Sequence, residues 1–267
     1  MPEPEPEVEA EVEVIDDARR VSFDANAELY DAVRPSYPDA LVDDVIAYGG
    51  RRMLEIGAGT GKATVVFARR GASIVAIEPG PSLAAVLRRN VDGYDVTVEE
   101  TRFEDWPIAG SFDAVMCAQA IHWVDPRIRY VKIAQVLAPG GTLAVVRNEK
   151  AAFERGLRDE LDAAYAHWHT GSSKRPLWSA IEETRRELVD EIDASGLFRR
   201  VEVRQYPWTV THTTARYLDL LDTYSDHAVL APAARAPLYQ AIAAAIDRRG
   251  GAIDIPYVSM AFLTRRR

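Results

Sequence analysis

The sequence predicts an α/β fold, a doubly wound sheet of seven strands with helical insertions serving as a lid. Two patterns in the 267 residues carry that expectation. From Arg51 onward short apolar runs alternate with helical stretches, as in βα units of a mostly parallel sheet. The first of those runs also breaks into a glycine-rich turn, Gly57-Ala58-Gly59-Thr60-Gly61, before a helical stretch. At 48% hydrophobic and 27% charged the chain can build a substantial core. No apolar run approaches the roughly 18 residues needed to span a bilayer, which excludes an integral membrane protein.

Arg52-Met53-Leu54-Glu55-Ile56 is expected as the first strand, followed by the glycine turn and a helix to about Arg70. Ser73 to Ile77 follows as the second strand, ending at Glu78, and a helix led by Pro81 covers Ser82 to Asn90. Val96-Thr97-Val98 is a short third strand, Phe112 to Cys117 a fourth, Ile128 to Val136 a helix and Thr142 to Val146 a fifth strand. Beyond it, Ala151 to Ala194 is helical in composition. Phe198 to Trp208 is expected as a strand, Ala215 to Asp222 and Pro237 to Arg248 as helices, and Ile255 to Thr264 as the last strand.

Residues 21–267 are expected to form a single domain: an N-terminal lid (21–50), a ligand-binding core (51–150), and a helical cap with the last strands (151–267). Residues 1–20 precede it as an acidic tail. The first 17 residues hold six Glu, Asp16 and Asp17 but no Lys or Arg, so disorder is the expected state. Without that stretch the net charge of −9 shrinks to −1, from 33 acidic and 32 basic residues. So neutral a body offers no electrostatic footprint for nucleic acid. The N-terminus lacks the basic and apolar regions of a secretory signal. A lone cysteine, Cys117, fits a reducing, cytoplasmic setting.

Glycine at the strand-to-helix turn leaves bare backbone that a ligand can approach closely. An acid at the end of the next strand, Glu78, has the geometry to hydrogen-bond a ribose diol. A dinucleotide fingerprint needs its third glycine at position 62, where the chain has Lys62, which weakens the reading as a nicotinamide-dependent oxidoreductase. Gly61-Lys62 is followed by Ala63 rather than the Ser or Thr of a phosphate-binding loop.

Leu54-Glu55-Ile56-Gly57-Ala58-Gly59-Thr60-Gly61 resembles the first motif of class I S-adenosylmethionine-dependent methyltransferases. The resemblance continues, in order, through Glu78, Phe103 to Pro107, Ser111 to Val115, and Val136 to Gly141. Phe23-Asp24, Ala27, Tyr30-Asp31, Arg34-Pro35 and Tyr37-Pro38, with Gln119 to Trp123, further resemble the small-molecule group that includes trans-aconitate methyltransferase. The resemblance implies a Rossmann-like fold, S-adenosyl-L-methionine as cofactor, and a small-molecule methyl acceptor such as a carboxylic acid or a hydroxyl compound.

It also implies residue roles. Gly57, Ala58, Gly59 and Gly61 would form the cofactor loop, with Glu55 orienting it and meeting the aminoacyl group. Glu78 would take the ribose hydroxyls and Pro79 cover an adenine face, with Phe103 and Glu104 at the adenine edge. Phe103 departs from the small residue common there. Tyr30, Arg34 and Gln119 would add cofactor contacts, and Tyr37, His122 and Trp123 would face the acceptor. Arg34 suits a carboxylate, of cofactor or substrate, or a structural acid; Tyr37 and Trp123 equally suit core packing. His122 suits general-base duty or a packed position. His167 and His169 lack the three- or four-residue spacing of helical metal ligands, and no metal is expected. Trp168, Trp178, Trp208 and Tyr224 suggest an aromatic-lined cavity. A non-catalytic protein retaining the cofactor fold is the third reading.

Overall fold

A computed structural model describes residues 24, 26–108, 110–168, 181–224, 227 and 230–267. The acidic tail, Phe23, His169, Trp178 and the side chain of Trp168 lie outside the described residues. The strands are β1 (Arg52–Ile56), β2 (Ser73–Ile77), β3 (Val96–Glu99), β4 (Phe112–Ala118), β5 (Leu137–Lys150), β6 (Glu202–Thr213) and β7 (Ala252–Arg265). They form one seven-stranded sheet in the order β3-β2-β1-β4-β5-β7-β6. The pairings among β1 to β5 are parallel, and β7 runs antiparallel between β5 and β6. The central β1 is buried from Met53 to Ile56, as a strand covered on both faces must be. Chain order reverses between β1 and β4, which opens a crevice at their carboxyl ends.

The helices are α1 (Ala27–Val33), α2 (Asp39–Gly49), α3 (Thr64–Ala68), α4 (Pro81–Asn90), α5 (Arg129–Val136), α6 (Arg155–Trp168), α7 (Ile181–Ala194), α8 (Thr214–Asp222) and α9 (Pro232–Asp247). On one face of the sheet Leu41 and Val45 of α2, Phe67 of α3 and Leu87 of α4 pack with Met53, Ile74 and Met116. On the other, Ile133 of α5 and Leu188 and Ile192 of α7 meet Leu54, Val115 and Val145. A separate core joins Leu157 and Leu161 of α6, Tyr217 and Leu220 of α8, and Ile242 of α9 to Tyr257 of β7. Each fully buried side chain of this size contributes about 1.5–3 kcal/mol. Cys117 is buried in the sheet, and burial pushes its thiol up to about 12.

Several element limits differ from the sequence expectation, including the starts of β5 at Leu137 and β7 at Ala252. β5 continues past Val146 to Lys150 because β7 pairs with it as far as Lys150 opposite Tyr257. β6 starts at Glu202 and runs to Thr213, registered along its length on β7, while Phe198 makes only a lone bridge to Arg266. α9 starts at Pro232, which supplies the preset first turn, and Pro237 lies inside it. The helical stretch 151–194 contains two helices, α6 and α7.

The N-terminal segment straps the two halves together. α4 begins after Gly80, which has no capping side chain; the Asp24 carboxylate instead accepts from the backbone N–H groups of Ser82 (2.8 Å) and Leu83 (3.0 Å) and from the Ser82 hydroxyl (3.0 Å). Glu28 receives a two-pronged contact from Arg89 at 2.7 and 2.8 Å, and Ala27 packs on Leu83 and Val86. At its far end the strap reaches the cap: Val33 is buried in the cap core, and Arg34 Nε donates to the Thr223 hydroxyl at 2.8 Å.

Removing the borrowed cap in Asp24→Ala is expected to lower stability by about 1 kcal/mol in urea unfolding. Breaking the exposed Glu28–Arg89 pair in Glu28→Ala should cost less, about 0.2–1 kcal/mol. An Asp24→Ala protein as stable as the wild type would refute the capping role.

Candidate active site

β1 ends at Ile56, and the chain turns through Gly57 (φ 68°) and Gly59 (φ 59°), both in the left-handed region. A Cβ on Gly57 would lie 2.5 Å from the Cβ of Ala120, so this position cannot carry a side chain. Nothing lies within 4 Å of the corresponding point on Gly59, whose bare backbone faces a cavity. The Gly59 N–H donates to Glu78 Oε2 at 2.8 Å, and the Gly80 N–H donates to Oε1 at 2.8 Å. One carboxylate therefore joins the turns after β1 and β2. Gly61, the remaining glycine of the expected cofactor loop, does not line the cavity. Its φ of 90° lies in the left-handed region that favours glycine, and a Cβ there would fall 2.6 Å from Leu87 Cδ1.

Glu55 is 1% exposed. Its Oε2 accepts from Thr64 Oγ1 at 2.7 Å, and its Oε1 has no protein partner. Burial pushes the carboxyl up, the Thr64 hydrogen bond partly offsets this, and the charge of Glu78 adds to the rise, leaving Glu55 at about 8. A buried carboxyl with an orphaned oxygen on a cavity wall is suited to receive a cationic donor.

The cavity has a volume of about 840 Å³ and collects every other expected site residue on its wall. Glu78 and Pro79 sit beside the glycine loop, with Phe103 and Glu104 next along the wall. Phe103 is buried with Lys132 Nζ 5.2 Å from its ring centre, and Glu104 Oε1 accepts from the Asp125 N–H at 3.0 Å. Gln119, at the end of β4, takes a left-handed φ of 58°, rare for a residue with a side chain, and its Nε2 donates to the Asn148 carbonyl at 2.9 Å. Asn148 Nδ2 in turn donates to the Ser36 carbonyl at 3.0 Å, and its Oδ1 accepts from Ser259 Oγ at 2.6 Å. Tyr30, Arg34 and Tyr37 enter from the strap, Tyr37 with its phenol pushed up by burial.

His122 and Trp123 lie on a short 3-10 turn after β4, ring centres 4.9 Å apart, with Trp123 also against the sheet core. Arg147 reaches His122 Nδ1 at 3.3 Å while pairing with Glu149 at 2.9 Å. Because a guanidinium only donates, Nδ1 is the acceptor and Nε2 carries the proton. The ring is exposed on the cavity side, and the protein packed around it disfavours its charged form and lowers its pKa to about 3, assisted by the charges of Arg147 and Arg129.

The far wall holds residues the sequence reading did not single out: Arg147, Lys150, Tyr165 and His227. The longer β5 delivers Arg147 and Lys150 there, and the rule that ligands gather at strand carboxyl ends could have found them. Tyr165 Oη and His227 Nε2 lie 2.9 Å apart. Tyr224 is on the wall as expected, whereas Trp208 is not: its Nε1 donates to Ser259 Oγ at 2.8 Å and its ring packs on Tyr257. Among the described residues no group of three or more His, Cys, Asp or Glu is placed to hold a metal, and no helix is long and apolar enough to cross a membrane.

Residues 54–145 match the family model for a methyltransferase domain. An uncharacterized methyltransferase of Mycobacterium tuberculosis is 33% identical over 216 residues, which cover 80% of each chain. Among solved structures, a methyltransferase from Anaeromyxobacter dehalogenans shares the fold with a TM-score of 0.62 at 22% identity, covering 87% of this chain and 96% of that one. A phosphoethanolamine N-methyltransferase of Haemonchus contortus, in complex with S-adenosylhomocysteine, matches with a TM-score of 0.51 at 15% identity over 91% of this chain and 57% of that one. Extended similarity to a full-length relative, the domain match over the glycine loop and the sheet order together make this chain a member of the class I S-adenosylmethionine-dependent methyltransferases.

Proposed function

We propose that the chain binds S-adenosylmethionine across the Gly57–Gly59 loop and transfers its methyl group to a small molecule held at the other end of the same cavity. The observation that carries this reading is the orphaned Glu55 Oε1 beside the bare backbone of Gly59. A buried acid without a donor fits the ammonium of the methionine portion, and backbone without a Cβ fits close approach of its chain. Gly57 and Ala58 complete that cradle, and Glu78 keeps lone pairs for a ribose diol while both its oxygens hold the loops. Pro79, Phe103 and Glu104 would bound the adenine; Tyr30 and Gln119 would close over the aminoacyl end, with Arg34 where that end meets the acceptor. The bound cofactor supplies a sulfonium methyl for in-line displacement, a reaction in which the protein chiefly aligns and desolvates.

Tyr37, His122 and Trp123 would line the acceptor side. Arg147 at Nδ1 supports an orienting role for His122, offering its Nε2–H, over the expected general-base role. A cavity of about 840 Å³ falls in the usual small-molecule range of about 300–1,000 Å³. Arg34 and Lys150 on its wall favour an acidic acceptor, a carboxylic acid or an ionisable hydroxyl, in keeping with the resemblance of the strap to the trans-aconitate methyltransferase group. The strap and the cap would act as the lid over a core spanning 51–150, and the buried thiol of Cys117 fits a cytoplasmic setting.

Thermal unfolding tests the cofactor directly. S-adenosylmethionine and S-adenosylhomocysteine should each stabilise the protein, by about 2.7 kcal/mol at 100 times the dissociation constant, and NAD should not. A Glu78→Ala protein that still melts cooperatively should lose the effect. Stabilisation by NAD alone would overturn the proposal.

Glu55 adds a pH signature. It keeps its proton to about pH 8 in the folded protein but loses it near 4.5 when unfolded, so ligand-free stability should fall as pH climbs through that window and level off above it. Glu55→Gln, an uncharged mimic, should remove the decline and gain on the wild type between pH 5 and pH 8. Cofactor binding near pH 7 should expel close to one proton, visible by calorimetry in buffers of different ionisation heat, and the variant should expel none. Parallel stability curves for the two proteins would remove Glu55 from this role.

A further inference from the structure

The far wall of the cavity holds a phenol between two cations. Lys150 Nζ lies 4.2 Å from the ring centre of Tyr224, and the guanidinium carbon of Arg34 lies 4.2 Å from the same centre. Both cations line the cavity, and among the described residues neither has a carboxylate within ion-pair distance. Arg34 is occupied by neutral acceptors, the hydroxyl and carbonyl of Thr223 at 2.8 and 2.5 Å. A wall with two positive charges that pair with no described carboxylate favours an anion beside them.

We propose that Tyr224, set between Lys150 and Arg34, is the general base that takes the proton from a hydroxyl acceptor, which makes the acceptor a phenol or an enol. The proposal rests on the methyltransferase reading and deepens it. A carboxylate acceptor is already ionised at neutral pH and needs no base; a phenol or enol does. His122 is disqualified by Arg147 at its Nδ1. The described groups facing Tyr224 agree with the assignment. Tyr257 and Tyr217 hold their protons because burial and the neighbouring phenols push them up. His227, with its ring centre 6.3 Å away, is engaged by Tyr165. For Tyr224 itself burial pushes upward, but Lys150 and Arg34 outweigh it and hold the phenol below its ordinary value.

In the step, the Tyr224 phenolate accepts the acceptor's O–H proton. The electron pair left on that oxygen forms the O–CH3 bond as the S–CH3 bond breaks, and sulfur keeps the pair of the broken bond. The products are a methyl ether, a neutral thioether and neutral Tyr224, which returns its proton to solvent when the product leaves.

A pH titration of tyrosinate absorbance on the full chain needs neither cofactor nor acceptor, so its failure is separable from failure of the methyltransferase reading. The wild type should show one phenol ionising below the ordinary value of about 10. That step should vanish in Tyr224→Phe and move upward in Lys150→Met, which keeps Tyr224 in place should the first variant fold poorly. Methyl transfer to a panel of phenols should then lose about 10²–10⁴-fold in kcat in Tyr224→Phe, with little change in KM and a displaced acidic limb of the pH profile. Coincident titration curves below pH 10, transfer confined to carboxylic acids, or an unchanged pH profile in Tyr224→Phe would each overturn the assignment.

Discussion

One buried carboxylate sets the geometry on which the rest of the site depends. Glu78 sits at the end of β2 and accepts from Gly59 with one oxygen and from Gly80 with the other. The first bond fixes the glycine turn after β1, and the second fixes the turn that leads into α4. Hydrogen bonds to a charged, largely buried group are among the stronger ones, about 1.5–3 kcal/mol each. The floor of the cavity is thus an electrostatic staple between two βα units, and Glu55, one strand over, feels its charge.

The parallel half of the molecule was legible in the sequence because its signals are local. Buried strands such as β1 and β2 are mostly apolar, interrupted in β1 only by the buried Glu55 between its first and last residues, and the turns after them carry glycine and acid at fixed spacing. The antiparallel half was less so. The Arg-Asn-Glu-Lys stretch at the end of β5 has no strand signature of its own and is extended only because β7 lies alongside it. The register of β6 is likewise imposed by β7, which is why its start was displaced toward Phe198.

The same division runs through the site. The glycine loop, Glu55, Glu78, Pro79 and Gln119 were named from spacing and motif, and all lie on one cavity. Gly61 belongs to the same motif, yet it lies off the cavity wall with Leu87 of α4 against its open side. Arg147 and Lys150 were missed with the end of β5, and His227 and Tyr165 because no spacing links residues that distant in sequence. Proximity created by tertiary pairing leaves no periodic trace, so acceptor-side chemistry is the part a single sequence conceals.

The strap from Asp24 to Arg34 has two anchorages of unlike character. On α4 the contacts are ionic and near the surface, a carboxylate on a helix end and the Glu28–Arg89 fork. At the cap they are enclosed, with Val33 in an apolar core and Arg34 stacked on Tyr224. Dissolved salt weakens the first kind and leaves the second almost untouched. The strap is therefore anchored electrostatically at one end and by apolar burial at the other. Ionic strength acts on the α4 end and spares the cap end, so the surrounding medium sets how firmly one side of the strap is held while the other side is indifferent to it.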